Sequence, residues 1–108
     1  MTQEVKIFQP SGSLDAAKSQ AFRQEIARIV EDGAKIVLVD LKNVTFMDSS
    51  GLGALVLAFK TLRASNSKLV LCSINEQIRI LFELTGMDKV FDIFANQDEF
   101  QKSLMSVT

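Results

Sequence analysis

The stretch Phe46-Met47-Asp48-Ser49-Ser50-Gly51-Leu52-Gly53 separates two different hydrophobic patterns. Before it, residues 36–39 read Ile-Val-Leu-Val, an unbroken apolar run that is typical of a strand buried on both faces. After it, apolar residues recur at steps of three and four from Leu52 to Leu62, which predicts an amphipathic helix. The stretch is therefore predicted to be the turn that joins a buried strand to a helix.

The two serines of this turn have more than one possible role. Ser49 and Ser50 are candidates for the N-cap of the helix, because a serine oxygen can accept a hydrogen bond from an unpaired backbone N–H of the first turn. A phosphate on a serine would add about −1.5 to −2 charges, and the positive end of the helix dipole favours an anion there. The turn can thus be a structural cap, a phosphorylation site or a catalytic turn.

Helical and extended patterns alternate along the rest of the chain. A helix is predicted over residues 15–32, with Asp15 as its N-cap and Gly33 just after its end. A second apolar run at residues 69–72 predicts another buried strand, and the following Ser73-Ile74-Asn75-Glu76 matches a capping box that opens a helix ending at Gly86. Residues 90–94 are predicted to be a strand, and a last helix is predicted to start near residue 96.

This alternation predicts an α/β fold with a four- or five-stranded mixed sheet and helices mainly on one face. The first strand contains Val5 and Ile7 and is expected to end near Pro10, which cannot donate to a sheet. Residues 11–13 look turn-like, and Leu14-Asp15 can form a short second strand or lead directly into the helix. One or both of these early strands are predicted to run antiparallel at an edge.

Composition limits the classes of function. The 108 residues suffice for one domain, predicted to span residues 1–108. The formal net charge of −1 gives no electrostatic reason to expect binding to nucleic acid or to a membrane. With no signal peptide pattern and a single cysteine, Cys72, which is predicted to be buried, a cytoplasmic protein is expected.

The chain has no histidine, so it lacks the commonest general base and metal ligand. Ser49 sits in half of the G-x-S-x-G pattern of hydrolases, because Met47 occupies the first glycine position. Gly51-x-Gly53 could cradle a phosphate, but the glycine-lysine pair of a P-loop is absent. We therefore expect no catalytic residue, no metal and no cofactor, with a small nucleotide-binding protein as the alternative.

Three carboxylates, Asp15, Asp40 and Asp48, are predicted to lie at or near the ends of helices and strands. In a parallel sheet such ends can meet at one edge, where two carboxylates could share acid–base chemistry. The sequence leaves open whether these three side chains converge or whether each has a separate structural role.

The residues around Asp48-Ser49-Ser50-Gly51-Leu52-Gly53 resemble the signature of STAS domains, in particular of the bacterial anti-sigma factor antagonists. The early Gly12-Ser13-Leu14-Asp15 resembles their G-x-L-D segment, and residues 78–86 resemble their third-helix segment. The resemblance covers essentially the whole chain. One position departs from it, since Ser13 stands where these antagonists often carry Glu, which removes a charge from the presumed docking surface.

The resemblance implies a partner switch controlled by phosphorylation of Ser49, the serine directly after Asp48. The unphosphorylated protein would bind an anti-sigma factor that is also a serine kinase, and a PP2C-type phosphatase would remove the phosphate. Asp15, Asp48, Ser50, Gly51, Leu52 and Gly53 are the expected partner-binding residues. A protein of this kind supplies a substrate hydroxyl and is not itself an enzyme. A constitutive scaffold in a sensor complex is the other alternative.

Overall fold

Two apolar strands form the centre of a four-stranded sheet in the computed structural model, which describes residues 5–105. The central strands are β3 (Ile36–Asp40) and β5 (Lys68–Cys72), and the outer strands are β1 (Val5–Phe8) and β6 (Asp92–Phe94). The order is β1-β3-β5-β6, and every pairing is parallel. All five residues of β3 are buried, as the unbroken apolar run predicts.

A second, two-stranded sheet lies beside the first. It pairs β2 (Ser11–Leu14) with β4 (Asn43–Met47), again in parallel, with Leu14 opposite Met47. The predicted α/β fold is confirmed, but the prediction of a mixed sheet with an antiparallel edge is wrong for the described residues. The turn-like composition of residues 11–13 was also misleading, because these residues pair with β4.

The helices fall on two faces of the large sheet. Three of them contribute to one apolar cluster through residues such as Phe22, Leu55 and Phe82, while the last covers the other face with Phe100. The prediction of helices mainly on one face is confirmed. Within residues 5–105, no helix has the length and apolar content needed to cross a membrane. The helices are α1 (Ala16–Glu31), α2 (Ser49–Ala64), α3 (Glu76–Thr85) and α4 (Gln97–Met105), with a 3₁₀ turn at Met87–Lys89.

The helix ends confirm some of the predicted caps and correct others. Asp15 caps α1 by accepting hydrogen bonds from the N–H groups of Ala17 and Lys18. The capping box predicted at Ser73 does not form, because Ser73 has a φ of 64° whereas an N-cap residue is extended. Asn75 caps α3 instead, with its side-chain oxygen 2.9 Å from the N of Ile78.

Asp40, at the end of β3, is a buried carboxylate that joins distant parts of the chain. Its Oδ2 accepts hydrogen bonds from Gln9 Nε2 at 3.0 Å and from Gln97 Nε2 at 2.6 Å, and its Oδ1 accepts one from Lys42 N at 3.0 Å. Burial alone raises the pKa of Asp40, but the hydrogen bonds from Gln97, Lys42 and two further donors hold the pKa below 3.8. The ionised carboxylate therefore ties α4 to the sheet.

We expect Asp40→Asn to lower the free energy of unfolding at neutral pH by about 1–3 kcal/mol, because a charged acceptor of several hydrogen bonds is lost. The folded-state pKa lies below that of the unfolded chain, so the ionised group stabilises the fold above the unfolded pKa. This contribution is lost as pH falls through the folded pKa. Urea unfolding of both proteins between about pH 7 and about pH 2 should show the difference shrinking. A difference that stays constant with pH would contradict this account.

Candidate functional site

The ends of β2 and β4 lie side by side and bring together the predicted site residues. Because Leu14 pairs with Met47, the next residues, Asp15 and Asp48, are neighbours at this edge. The N–H of Asp48 lies 3.4 Å from the carbonyl oxygen of Leu14. Asp15 begins α1 and Asp48 begins α2, so both helices start from the same edge of the small sheet.

Asp48, not a serine, caps α2. Its Oδ1 accepts a hydrogen bond from the N–H of Gly51 at 3.0 Å, and its carbonyl oxygen accepts one from Leu52 at 2.9 Å. Of the roles left open for Ser49 and Ser50, that of N-cap is excluded, since both residues are already helical. A carboxylate accepts the same bond and also suits the positive end of the helix dipole.

Because Asp48 caps α2, neither serine side chain is needed to stabilise the start of the helix. Ser49 and Ser50 are exposed, and neither hydroxyl makes a hydrogen bond with any residue in the range 5–105. An enzyme approaching from solvent can therefore reach either hydroxyl without first breaking a contact of the fold.

Two of the three predicted carboxylates, Asp15 and Asp48, lie at the same edge, whereas Asp40 lies apart from them. Asp48 caps α2, and Asp15 accepts hydrogen bonds from the first turn of α1 and, at 3.2 Å, from the Ser13 hydroxyl. Asp40 ends a strand of the other sheet, where its carboxylate is occupied by the hydrogen bonds that join the sheet to α4. Each of the three carboxylates therefore accepts hydrogen bonds that hold a helix start or a strand end in place. Among the described residues, acidic side chains and cysteine form no group of three that could hold a metal.

Gly51 is required by a close backbone contact. A β-carbon placed on this residue would lie 2.0 Å from the carbonyl oxygen of Leu14, well inside van der Waals contact. Gly53 is different, because a β-carbon there would meet nothing within 4 Å. Packing on Leu14 therefore explains Gly51 without the alternative role of a phosphate cradle, whereas packing among the described residues does not explain Gly53.

A groove of about 350 Å³ runs between the first turns of α1 and α2. Small residues leave it open, and Arg23 supplies its single charged side chain. Sequence reasoning did not identify Ser19 and Arg23 as site residues. Their spacing of four residues along α1 puts them on one helix face, which lies toward α2. The hydroxyl of buried Ser19 lies 2.7 Å from the carbonyl oxygen of Asp15 and 3.3 Å from that of Ser50, which links the two helix starts. The lining residues are Ala16, Ser19, Arg23, Ser50, Gly53 and Ala54.

Exposure sorts the predicted partner-binding residues. Ser50 and Gly53 are exposed on the groove, and Asp15 and Asp48 are half-buried at its end. Gly51 and Leu52 are buried, since Gly51 packs on the backbone of Leu14 and Leu52 belongs to the main apolar cluster. These two residues are therefore removed from the predicted contact surface and support it from below.

Comparison with known proteins gives consistent matches. Residues 1–100 match the family model of the STAS domain. The anti-sigma-B factor antagonist of Listeria monocytogenes is 34% identical over 92 residues, which are 85% of this chain and 80% of that protein.

Solved structures match the fold over nearly the full chain. An anti-sigma factor antagonist from Mycobacterium paratuberculosis superimposes with a TM-score of 0.84 at 24% identity, covering 98% of this chain and 90% of that chain. The Bacillus protein SpoIIAA has been solved in its unphosphorylated and phosphorylated forms, which match with TM-scores of 0.72 and 0.70 at 20% identity. These matches cover 99% and 95% of this chain and 94% of each SpoIIAA chain.

The two glycines of the turn should respond in opposite ways to a methyl group. We expect Gly51→Ala to lower the free energy of unfolding by more than about 3 kcal/mol or to prevent folding, because backbone must move to relieve the overlap with Leu14. Gly53→Ala should raise the free energy of unfolding by up to about 1 kcal/mol, because alanine favours a helix and has room there. Urea unfolding of the two variants checks both; equal effects would contradict the assigned packing.

Proposed function

Because this chain belongs to the STAS domain family, we propose that it is an anti-sigma factor antagonist controlled by phosphorylation of Ser49. In its unphosphorylated state it binds an anti-sigma factor that is also a serine kinase, and phosphorylation of Ser49 releases it. The proposal is carried by the Ser49 side chain, which is exposed in the first turn of α2 and whose hydroxyl makes no hydrogen bond with a described residue.

The position of Ser49 allows a phosphate to be added without damage to the fold. α2 is 16 residues long, and an anion at the start of a helix is favoured by about 0.3–1 kcal/mol. Asp48 continues to cap the helix in either state, because its Oδ1 bonds to Gly51 and not to the serine. The modification therefore changes the surface of the protein and leaves its interior unchanged.

The effect of the phosphate falls on the partner. Ser49 lies in the chain between Asp48 and Ser50, two of the proposed contact residues, and the other two are Asp15 and Gly53. A phosphate there adds a dianion to a surface that already carries the carboxylates of Asp15 and Asp48. A partner that binds the unmodified surface would then face this added negative charge and would have to remove water from the phosphate. Every 1.4 kcal/mol of that penalty weakens binding about tenfold. A penalty of a few kcal/mol is thus enough to separate the two proteins.

Gly53 supports the same contact surface. A glycine inside a helix costs about 1 kcal/mol relative to alanine, and no packing among residues 5–105 requires it here. A partner that approaches the backbone in the groove between α1 and α2 would require it. Arg23, which also lines the groove, offers that partner a cation, and among the described residues it makes no ion pair.

The proposal also covers the source of the catalytic groups, the phosphatase and the place of action. The chain supplies the substrate hydroxyl and the partner supplies the catalytic groups, so no enzymatic activity is assigned to the chain. A PP2C-type phosphatase restores the unphosphorylated state. The protein acts in the cytoplasm through protein contacts, without nucleic acid or membrane.

Variants at the two serines test the switch. Tagged Ser49→Ala should retain an anti-sigma factor kinase from a lysate of the native cell in the presence of ATP, because it cannot be phosphorylated. Ser49→Asp should bind the recovered kinase at least about tenfold more weakly, since it places a negative charge at the acceptor position. The dissociation constants can be measured by calorimetry with the purified partner.

Ser50→Ala is the control for the choice of acceptor, because it keeps Ser49 and should still be released by ATP. Since Ser50 belongs to the contact surface, its release is measured against its own binding without ATP. Equal binding of Ser49→Ala and Ser49→Asp would remove Ser49 from the mechanism and favour a constitutive scaffold. Failure of the Ser49→Ala protein to retain any kinase would contradict the proposed class of partner.

A further inference from the structure

The outer edge of β4 is paired with side chains where a sheet would have another strand. The N–H of Met47 donates to Gln77 Oε1 at 2.9 Å, and Gln77 Nε2 donates to the carbonyl oxygen of Met47 at 2.8 Å. A residue of a neighbouring strand would make the same two kinds of bond through its backbone. Gln77, half-buried in the first turn of α3, thus substitutes for a strand residue at the end of β4.

Asn75 extends this contact along the strand. Its Nδ2 donates to the carbonyl oxygens of Val44 and Thr45, each at 3.2 Å, while its Oδ1 caps α3 through the N–H of Ile78. The start of α3 therefore holds β4 at three of its five residues through side chains that lie 30 or 31 positions further along the chain.

Gln77 acts on the backbone next to the proposed acceptor. Met47 is fully buried, and it lies one residue before the cap of α2 and two before Ser49. The hydrogen bond from Asp48 N to the Leu14 carbonyl oxygen is long at 3.4 Å, so it restrains the chain less than the two bonds to Gln77. Without Gln77, the Met47 N–H and carbonyl oxygen lose these partners, and the turn from β4 into α2 is freer to move.

We propose that Gln77 is a positioning residue for phosphorylation, an inference that rests on the proposed function of Ser49. In the transfer, Ser49 Oγ forms a bond to the γ-phosphorus of ATP as the bond from that phosphorus to the β–γ bridging oxygen breaks. ADP leaves, and the serine proton passes to a base of the kinase. Such a transfer needs the attacking oxygen in line with the leaving oxygen, and a misplacement of about 1 Å can cost about 100-fold in rate.

The test compares steady-state phosphorylation by the kinase recovered with the Ser49→Ala protein. Gln77→Glu keeps the size and the acceptor for the Met47 N–H, but places a carboxylate oxygen against the Met47 carbonyl oxygen. We expect its kcat to fall at least about tenfold, with KM changed by less than about threefold, because alignment of the bound hydroxyl is lost while the contact surface remains. Gln101→Glu in α4, on the opposite face of the large sheet, makes the same charge change and should behave as the wild type.

Gln77→Met provides a second variant, which keeps the length of the side chain without either hydrogen bond and should also lower kcat. Amide hydrogen exchange at residues 47–49 should become faster in both Gln77 variants and stay unchanged in Gln101→Glu. Wild-type kcat in both Gln77 variants, or an equal loss in Gln101→Glu, would overturn the positioning role. If the wild-type protein itself receives no phosphate on Ser49, the proposed function fails and the positioning role fails with it.

Discussion

The contact between Gly51 and the carbonyl oxygen of Leu14 sets the geometry of the whole site. It lets the first turn of α2 lie directly on the end of β2, which no residue with a β-carbon could do without displacing backbone. Because β2 also pairs with β4, the starts of α1 and α2 meet at one edge. The groove between the two helices and the exposed position of Ser49 both follow from this approach.

In this site the residue that caps α2 differs from the serines whose hydroxyls an external enzyme can reach, although a single serine could have served both purposes. Asp48 supplies the cap of α2, so the hydroxyls of Ser49 and Ser50 remain free for an external enzyme. A serine used as a cap would have to give up its hydrogen bond before it could be modified. With the carboxylate as cap, a phosphate on Ser49 would meet a helix start that favours anions, and its cost would fall on the complex with the partner. The proposed switch therefore lies at a helix start that stays capped in both states.

Local patterns predicted what depends on local sequence. The apolar runs of β3 and β5, the helical periodicity after Leu52 and the cap at Asp15 were all found where the pattern placed them. β4 was missed, because only Val44 and Met47 of its five residues are buried and its outer edge is satisfied by Asn75 and Gln77, far along the chain. The parallel direction of the early strands was missed as well, since strand direction depends on how the chain crosses between sheets.

Within the site, the turn itself was predictable and the roles inside it were only partly so. The sequence identified Ser49 and its neighbours, but it offered the serines as cap candidates and did not identify Asp48 as the cap, because serine and aspartate are both good N-caps. It could not separate Gly51 from Gly53, which differ only in what lies across from them in space. Gln77 gave no signal, because a polar residue near a helix start is unremarkable until its contacts are known.

The central claim is that Ser49 is the residue through which other proteins control this one. Phosphopeptide mass spectrometry on the protein purified from its native cell, with fragmentation that separates Ser49 from Ser50, tests that claim most directly. We predict a phosphate on Ser49 in a fraction of the molecules, with that fraction changing between culture conditions. A protein that carries no phosphate on Ser49 under any of these conditions, or carries it on Ser50 alone, would contradict the account.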